Sequence, residues 1–159
     1  MIHKTAEVDK GAKIGKGTKV WRFCHIASTA RIGKNVTIGQ GCYVAGKVGD
    51  NCKIQNNVSI YEGVELEERV FVGPSAVFTN DKNPRAEFPK DKREKILVEK
   101  GATIGANATI VCPRRIGRYA FIGAGAVVVS DIPSFCLAYG NPAEVWGGVS
   151  SEGGTIRYP

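Results

Sequence analysis

The chain has 159 residues, of which 43% are hydrophobic and 23% charged, a composition typical of one soluble globular domain and not of a disordered chain. No apolar run reaches the roughly 20 residues that a membrane span requires, and no apolar stretch follows the first charged residues as in a signal peptide. We therefore expect a cytoplasmic protein without a membrane partner. The net charge of +7 suggests an anionic partner, which composition leaves open between a nucleic acid and a phosphorylated cofactor.

An aliphatic or aromatic residue recurs every six residues along most of the chain, and such internal periods are the signature of repeat folds. The period loses two residues between Val44 and Val48, and it is interrupted between Phe78 and Val98. The recurring positions are Val8, Ile14, Val20, Ile26, Ile32, Ile38, Val44, Val48, Ile54, Ile60, Leu66, Val72, Phe78, Val98, Ile104, Ile110, Ile116, Ile122 and Val128.

Two further positions of the repeat are restricted. The residue after the aliphatic one is often glycine, as at Gly15, Gly33, Gly39, Gly49, Gly73, Gly105, Gly117 and Gly123. The residue two places before it is small or β-branched, except at Arg114. Three of the five cysteines, Cys24, Cys42 and Cys52, occupy this small position, so we interpret them as packing residues. The chain has no Cys-x-x-Cys pair that would predict a zinc site.

A period of six fits neither an α-helix nor a hairpin meander. It fits a coil in which a short strand points one aliphatic side chain inward and then turns a corner on a glycine with positive φ. Three such units make one triangular coil of about 18 residues, and stacked coils bury a continuous core. The sequence therefore predicts an all-β fold, a parallel β-helix of roughly six coils over residues 1–133, followed by a C-terminal extension over residues 134–159.

Two segments depart from the repeat. Residues 79–97 lack the period and contain two prolines, which predicts a long loop extruded from one corner; long loops in compact domains are usually functional. Pro133 is expected to end the last coil, and Gly140-Asn141-Pro142-Ala143 predicts a tight turn in the extension.

The period also predicts which residues share a corner. Gly105-Ala106 and Gly123-Ala124 should stack at one corner, where small residues leave the backbone open to a ligand. Tyr61-Glu62 should lie directly beneath Thr79-Asn80, where the loop departs. That polar corner is the predicted acceptor pocket.

The repeat, the loop and the C-terminal GAGAVVVSDIPSFCLAYGNPA resemble the hexapeptide-repeat acyltransferases. The segment KIQNNVSIYEGVELEERVFVGPSAVFTNDKNPRA, residues 53–86, is more closely similar to the nucleotide-sugar 3-N-acetyltransferases that act on UDP-2-acetamido-3-amino-2,3-dideoxyglucuronate in surface-polysaccharide biosynthesis. The dTDP-3-amino-3,6-dideoxyhexose acetyltransferases share much of it. The Ala45-Gly46-Lys47 connection is two residues tighter than is usual there, and Asp81 replaces a residue that is often aliphatic.

The resemblance implies that the parallel β-helix is left-handed and that the protein is a homotrimer. It also implies acetyl-CoA as a co-substrate and no metal. It implies a nucleotide-sugar substrate and no nucleic acid. Coenzyme A should run along a groove between subunits past the Gly-Ala corner, with its adenine near Pro142. Its phosphates could meet Arg114 and Arg115, although solvent-facing charge is an equal alternative. The predicted cofactor-binding residues are Gly105, Ala106, Gly123, Ala124, Arg114, Arg115 and Pro142.

N-acetylation requires an unprotonated amine held near a thioester, and a neutral histidine would be the simplest base. His3 should be an exposed end residue, and His25 should point outward on a flat face three coils below Asn80. We therefore predict that Asn80 orients the amine, with Asp81 or Glu62 as the proton acceptor unless the coenzyme A thiolate takes the proton.

Asn80 could instead merely shape the turn into the loop. Arg85 could bind a phosphate or carboxylate or could simply be solvated, and Asn ladders within the turns are an alternative role for Gln55 and Asn57. The predicted substrate-binding residues are Gln55, Asn57, Tyr61, Thr79 and Arg85.

Three other functions compete with this prediction. A non-catalytic β-helix module would not need the long charged loop. A carbonic anhydrase of this fold needs three histidine ligands, and the chain has two histidines. An O-acetyltransferase of this fold usually relies on a catalytic histidine.

Overall fold

The computed structural model describes residues 1–157, and within that range the regular structure consists of strands alone. Most strands have two or three residues and pair in parallel with the strand one coil away, as Glu7 pairs with His25 and Val8 with Ile26. Three parallel ladders form the three faces of a prism. The predicted all-β, left-handed parallel β-helix is confirmed.

The strands are numbered in chain order and are grouped by face. Face I consists of β1 (Glu7–Val8), β4 (His25–Ile26), β7 (Tyr43–Val44), β10 (Ser59–Ile60), β13 (Val77–Phe78), β16 (Thr109–Ile110) and β19 (Val127–Val128). Face II consists of β2 (Lys13–Ile14), β5 (Arg31–Ile32), β8 (Lys47–Val48), β11 (Val64–Leu66), β14 (Ile96–Val98) and β17 (Arg114–Ile116). Face III consists of β3 (Lys19–Val20), β6 (Thr37–Ile38), β9 (Lys53–Ile54), β12 (Phe71–Val72), β15 (Thr103–Ile104), β18 (Phe121–Ile122), β20 (Cys136–Gly140), β21 (Ala143–Val149) and β22 (Thr155–Arg157).

The described chain forms seven coils, one more than the sequence count of roughly six. The prediction that Pro133 ends the last coil is wrong, because Ile132 pairs with Ile116 and β20 pairs in parallel with β18. At the equivalent corner one coil below, Gly117 donates its N–H to the Ile132 carbonyl. Pro133 has no N–H and needs none, since the ladder of this face has no further strand above it. Proline is therefore tolerated at the top of this face, and it does not end the coil.

The recurring aliphatic side chains point inward and form one continuous core along the prism. Most are fully buried, among them Ile26, Ile60, Ile110 and Phe78. Burying each such side chain contributes about 1.5–3 kcal/mol. Val8, at 40% exposed, and the partly buried Ile14 are exceptions, because no coil lies below them to cover that end of the core.

The glycines after the aliphatic positions were expected to turn each corner with a positive φ, but they do not. Gly15 and Gly105 do not adopt positive φ; the left-handed residue stands two places later, at Gly17 and Asn107. A Cβ on Gly15 would lie 2.4 Å from the Gly33 backbone, and one on Gly105 would lie 2.5 Å from the Ala124 nitrogen. These positions are glycine because the backbone of the next coil leaves no room for a side chain.

The cysteines at the small position are buried and bonded, as their interpretation as packing residues predicts. Cys24, Cys42 and Cys52 donate their thiols to the corner carbonyls of Gly39, Gln55 and Glu67 at 3.0–3.1 Å. Thr18 donates its hydroxyl to the Gly33 carbonyl in the same way. Burial raises the pKa of Cys52 to about 11. The Cys52 thiol is therefore a poor nucleophile at neutral pH. The side-chain hydrogen bond with Cys42 lowers the pKa of Cys24 to about 7, so burial and not protonation keeps the Cys24 thiol from reacting.

Two irregularities shape the surface at the edge between faces I and II. Val44 pairs with Ile60, sixteen residues on and two fewer than in a regular coil. The loop between β13 and β14 covers residues 79–95, so it ends two residues before its predicted boundary. The edge recedes at the shortened third coil, and it projects where the loop leaves the fifth coil.

The C-terminal extension is a hairpin that continues face III. Strands β20 and β21 pair antiparallel around the predicted turn at residues 140–143, and β22 adds to β21. Residues 158–159 of the predicted extension lie outside the described part of the chain. No helix among the described residues is long and apolar enough to cross a membrane.

Candidate active site

The corner between faces I and II brings together the residues of the predicted acceptor pocket. We call it the loop corner, and it comprises residues 61–63 and 79–80 at the base of the loop. The Asn80 amide nitrogen donates to the Glu62 carbonyl oxygen at 3.1 Å. The Thr79 hydroxyl accepts a hydrogen bond from the Cys112 backbone N–H at 2.9 Å. Tyr61-Glu62 and Thr79-Asn80 are therefore neighbours in adjacent coils, as the spacing predicts.

Asn80 is held from two sides. Its side chain bonds to the coil below, and its backbone carbonyl accepts from the Glu94 N–H at 2.9 Å, which closes the base of the loop. No described residue donates to its Oδ1. A fixed amide with a free acceptor oxygen can bind and orient an amine N–H.

The Asp81 carboxylate is engaged within the loop. Lys90 donates to it at 2.7 Å and the Asn83 backbone N–H at 3.0 Å, and its side chain is only 16% exposed. The hydrogen bond from Lys90 lowers the pKa of Asp81 below its ordinary value. A carboxylate stabilised in this way is a weak proton acceptor, and its contacts order the loop.

The outer loop carries Arg85 and Phe88 at the surface. Among the described residues, the Arg85 side chain donates to the adjacent Pro84 carbonyl alone, and the Phe88 side chain is 72% exposed. In that part of the chain Arg85 makes no hydrogen bond to the loop corner.

The other two predicted substrate-binding residues lie elsewhere. Gln55 and Asn57 stand at the corner between faces III and I, at the opposite edge of face I from Asn80. Asn57 adopts a left-handed φ of 58° and donates its N–H to the Gln40 carbonyl, so it shapes a turn. Within one chain the predicted substrate set is thus divided between two corners.

The small residues of the predicted cofactor site share an upper stretch of that second corner, which we call the small-residue corner. It comprises Gly105-Ala106 and Gly123-Ala124, stacked as the spacing predicts, with the Gly123 N–H donating to the Ala138 carbonyl. The glycines are set by coil stacking, but Ala124 is exposed. Above it lie Tyr139, whose ring stacks on Trp146 at 5.5 Å, and the exposed Pro142 in the hairpin turn.

Arg114 and Arg115 lie on face II and not at the small-residue corner. Arg115 pairs with Glu99 through its Nε at 2.8 Å. The Arg114 Nε is buried without a hydrogen-bond partner among the described residues. Within one chain the structure does not bring these arginines to the predicted cofactor corner.

His25 points outward from face I, three strands below β13, as expected. It pairs with Asp9 at 3.2 Å and meets the Tyr43 ring edge-on at 5.3 Å. His3 is half-buried and bonds to the Thr5 hydroxyl at 3.0 Å, so it is less exposed than predicted. Neither ring approaches the loop corner.

A groove beside the loop corner was not predicted from the sequence. It has a volume of about 430 Å³ and opens on face II, where the two missing residues of the third coil make the corner recede. We call it the notch; it is lined by Thr29, Arg31, Ala45, Gly46, Lys47, Glu62, Gly63, Val64, Glu65 and Lys95. The tight Ala45-Gly46-Lys47 connection was the sequence signal for it. Within the described residues, no cluster of three or more His, Cys, Asp or Glu side chains could hold a metal ion.

Comparison with known proteins identifies the family. A family model described as bacterial transferase hexapeptide (six repeats) matches residues 11–46 and 47–80. A second, described as hexapeptide repeat of succinyl-transferase, matches residues 95–130. Together the two repeat models cover more than half of the chain, which therefore belongs to the hexapeptide-repeat transferases.

Individual relatives match parts of the chain. The dTDP-3-amino-3,6-dideoxy-alpha-D-galactopyranose 3-N-acetyltransferase of Aneurinibacillus thermoaerophilus is 59% identical over 51 residues, 32% of this chain and 27% of that protein. The bifunctional protein GlmU of Rubrobacter xylanophilus is 30% identical over 135 residues, 85% of this chain and 24% of that protein. The chain thus spans about a quarter of the length of these relatives.

A solved structure shows the same fold. The acetyltransferase domain of PglB from Neisseria gonorrhoeae, determined in complex with acetyl coenzyme A, superposes with a TM-score of 0.60 at 22% identity. The match covers 91% of this chain and 56% of that one.

Proposed function

We propose that this chain is an acetyl-CoA-dependent N-acetyltransferase that acetylates the amino group of a nucleotide-linked amino sugar. The observation that carries the proposal is Asn80, whose amide is fixed against Glu62 at the base of the long loop with its oxygen free. The 51-residue match to a nucleotide-sugar 3-N-acetyltransferase at 59% identity supports this substrate class. Positioning two reactants in this way can supply a large part of a rate enhancement.

The reaction needs little from the protein beyond positioning. The amine nitrogen attacks the thioester carbonyl carbon, the C–S bond of the tetrahedral intermediate breaks, and the departing thiolate takes the amine proton. Asp81 is unsuited as the base because Lys90 already stabilises its charge. Glu62 remains the protein alternative, since its carboxylate makes no hydrogen bond to the described residues and its backbone adjoins Asn80.

For the sugar, two candidates follow from different observations. The likeness of residues 53–86 supports UDP-2-acetamido-3-amino-2,3-dideoxy-D-glucuronate and a role in surface-polysaccharide biosynthesis. The similarity to the Aneurinibacillus enzyme, which acts on a dTDP-3-amino-3,6-dideoxyhexose, favours such a sugar instead. Both candidates carry a 3-amino group, so the same loop corner would serve either one.

We assign acetyl-CoA to the small-residue corner. Exposed Ala124 leaves room for the pantetheine arm, and the Tyr139–Trp146 pair beside Pro142 offers a flat aromatic surface for the adenine. The complex of the PglB domain with acetyl coenzyme A supports this choice of co-substrate.

We propose a homotrimer with face I at the subunit interface. The outward side chains of face I from the third to the seventh coil are all uncharged: Tyr43, Ser59, Val77, Thr109 and Val127. Face II, in contrast, carries Lys13, Arg31, Lys47, Glu65 and Arg115 in its outward row. The loop corner and the small-residue corner border face I on either side, so a copy packed on face I would line grooves at both. A cyclic trimer closes such contacts.

The test is a panel of ligands and substrates. Thermal shift with acetyl-CoA, UDP-sugars and dTDP-sugars should show stabilisation by acetyl-CoA and by one nucleotide class. Release of free coenzyme A should then require a 3-amino sugar carrying that nucleotide. Acetyl-CoA binding without turnover on either 3-amino sugar would remove the proposed substrate class. No ligand response at all would favour a non-catalytic module.

A further inference from the structure

The notch owes its shape to the shortened third coil. The Ala45 and Gly46 backbone N–H groups both donate to the Ile60 carbonyl, at 2.7 and 3.0 Å, so the chain crosses the corner in one tight step. A Cβ on Gly46 would lie 2.4 Å from the Val64 carbonyl oxygen, so the step is packed against the coil above. Thr29 fixes the coil below by donating to the Ala45 carbonyl at 2.9 Å. The floor of the notch is therefore rigid backbone.

Three cations line this floor. Lys47 makes one long contact, 3.4 Å, with Glu65, and both side chains are at least half exposed. Lys95 makes no ion pair within residues 1–157. Arg31 Nη1 donates to the backbone carbonyls of Ser28 and Ala30 at 3.0 and 2.8 Å, which fixes the guanidinium without neutralising it. The two carboxylates of the lining, Glu62 and Glu65, leave one positive charge in excess.

The notch adjoins the amine-binding residue. Glu62 lines the notch, and its backbone carbonyl accepts a hydrogen bond from the Asn80 amide. Lys47 lies in the third coil and Asn80 follows the strand of the fifth, so about two strand spacings, roughly 10 Å, separate them. A nucleotide-linked sugar with its amine at Asn80 would place its diphosphate at about this depth along the prism.

We infer that the notch is the diphosphate subsite, with Lys47 and Lys95 as the binding cations and Arg31 as the fixed wall. This inference rests on the proposed nucleotide-sugar substrate. Coenzyme A also contains a diphosphate, but the small-residue corner assigned to it lies at the opposite edge of face I. Within one chain the notch is therefore free for the sugar nucleotide.

The experiment measures ligand binding by calorimetry, so that it does not depend on turnover. Lys47→Gln and Lys95→Gln should each weaken UDP or dTDP binding about 3- to 10-fold, the loss expected for a charge-assisted contact near the surface. Glu65→Gln removes a negative charge and frees Lys47 from its ion pair, so it should tighten the binding of UDP or dTDP. Lys13→Gln is the matched control, because Lys13 stands in the same outward row of face II but does not line the notch.

Pyrophosphate, uridine and acetyl-CoA separate the possible sources of binding. Pyrophosphate should compete with UDP for binding. The affinity for uridine should be the same in wild type and Lys47→Gln, and the affinity for acetyl-CoA should be unchanged in every variant. Equal UDP affinity in wild type and Lys47→Gln would overturn the notch assignment even if turnover on an amino sugar is found. Loss of acetyl-CoA affinity in the Lys variants would give the notch to coenzyme A instead. Absence of any nucleotide binding together with absence of turnover would defeat the proposed function as well.

Discussion

Asn80 joins the loop to the prism and stands where the amine is expected. Its amide nitrogen donates a hydrogen bond to the Glu62 carbonyl, which fixes the plane of the amide and leaves Oδ1 free for a ligand. The carboxylate of Asp81, the next residue, accepts hydrogen bonds from the Lys90 side chain and the Asn83 backbone N–H. The two adjacent polar residues thus differ: the contacts of Asp81 order the loop, and Asn80 is the residue that we propose to bind the amine.

Replacing Asn80 with alanine should therefore cost one hydrogen bond, about 0.5–1.5 kcal/mol. That corresponds to an approximately 2- to 13-fold fall in kcat/KM for acetyl transfer, since about 1.36 kcal/mol is tenfold in rate. Removing a general base would cost about 100- to 10,000-fold. His25→Asn is the control, because His25 lies three strands away on face I and should leave kcat/KM nearly unchanged. A thousandfold loss in a folded His25→Asn trimer would relocate the active site.

The cysteines allow a second prediction for individual residues. Four of the five are buried, and Cys136 is partly exposed. Burial holds the pKa of Cys52 at about 11, so that thiol stays protonated and unreactive at pH 8. A disulfide reagent should thus modify at most one thiol per native chain and five after denaturation. Cys136→Ser should remove the fast reaction. Rapid labelling of several thiols in the native protein would show that the core opens readily.

In the small-residue corner, some residues are required for coil stacking and others are exposed to a ligand. The glycines there are forced by the neighbouring coil, whereas Ala124 faces solvent. Conformational freedom at the glycines is not needed, since Gly105 and Gly123 do not have positive φ. The surface that a ligand can reach is formed by the alanines and the aromatic pair above them.

Ala124→Phe should fill this surface and block the pantetheine arm. We expect acetyl-CoA affinity to fall at least tenfold, with the melting temperature within a few degrees of wild type because the new ring points into solvent. Gln40→Phe is the matched control: Gln40 occupies the same exposed position of this corner four coils lower. Unchanged acetyl-CoA affinity in a folded Ala124→Phe protein would exclude the corner from the cofactor site.

For the whole molecule, the distribution of charge among the faces predicts how copies associate. The outward row of face I is uncharged over five coils, and Val77, at its centre, is 47% exposed in the single chain. Burying that row against a second copy removes apolar surface from water without stranding a charge.

Val77→Glu should convert the trimer to smaller species, because the carboxylate would be buried without a partner. Light scattering coupled to gel filtration measures the change directly. Thr37→Glu, which adds the same charge to face III between Lys19 and Lys53, should remain trimeric. A wild-type protein that is active as a monodisperse monomer would refute the shared-groove arrangement.

The fold could be predicted from the sequence, because a six-residue period admits few ways to bury one aliphatic side chain per unit. The sequence also determined the stacking of Tyr61-Glu62 beneath Thr79-Asn80, since residues one coil apart must be neighbours in a helix of constant period. It did not determine why the corner residues are glycine or where the last coil ends. Those depend on the distance to the backbone of the next coil, and on whether there is a next coil, as Gly105 and Pro133 show.

The partners of the side chains in the candidate site could not be predicted from the sequence. The tertiary structure paired Asp81 with Lys90, placed Gln55 and Asn57 on the far edge of face I, and set Arg115 against Glu99 on face II. The two-residue contraction after Val44 is visible in the sequence, but the notch that it opens is not. A period fixes the height and face of each residue; the partner that each side chain meets depends on contacts between coils and with the loop, which no local pattern encodes.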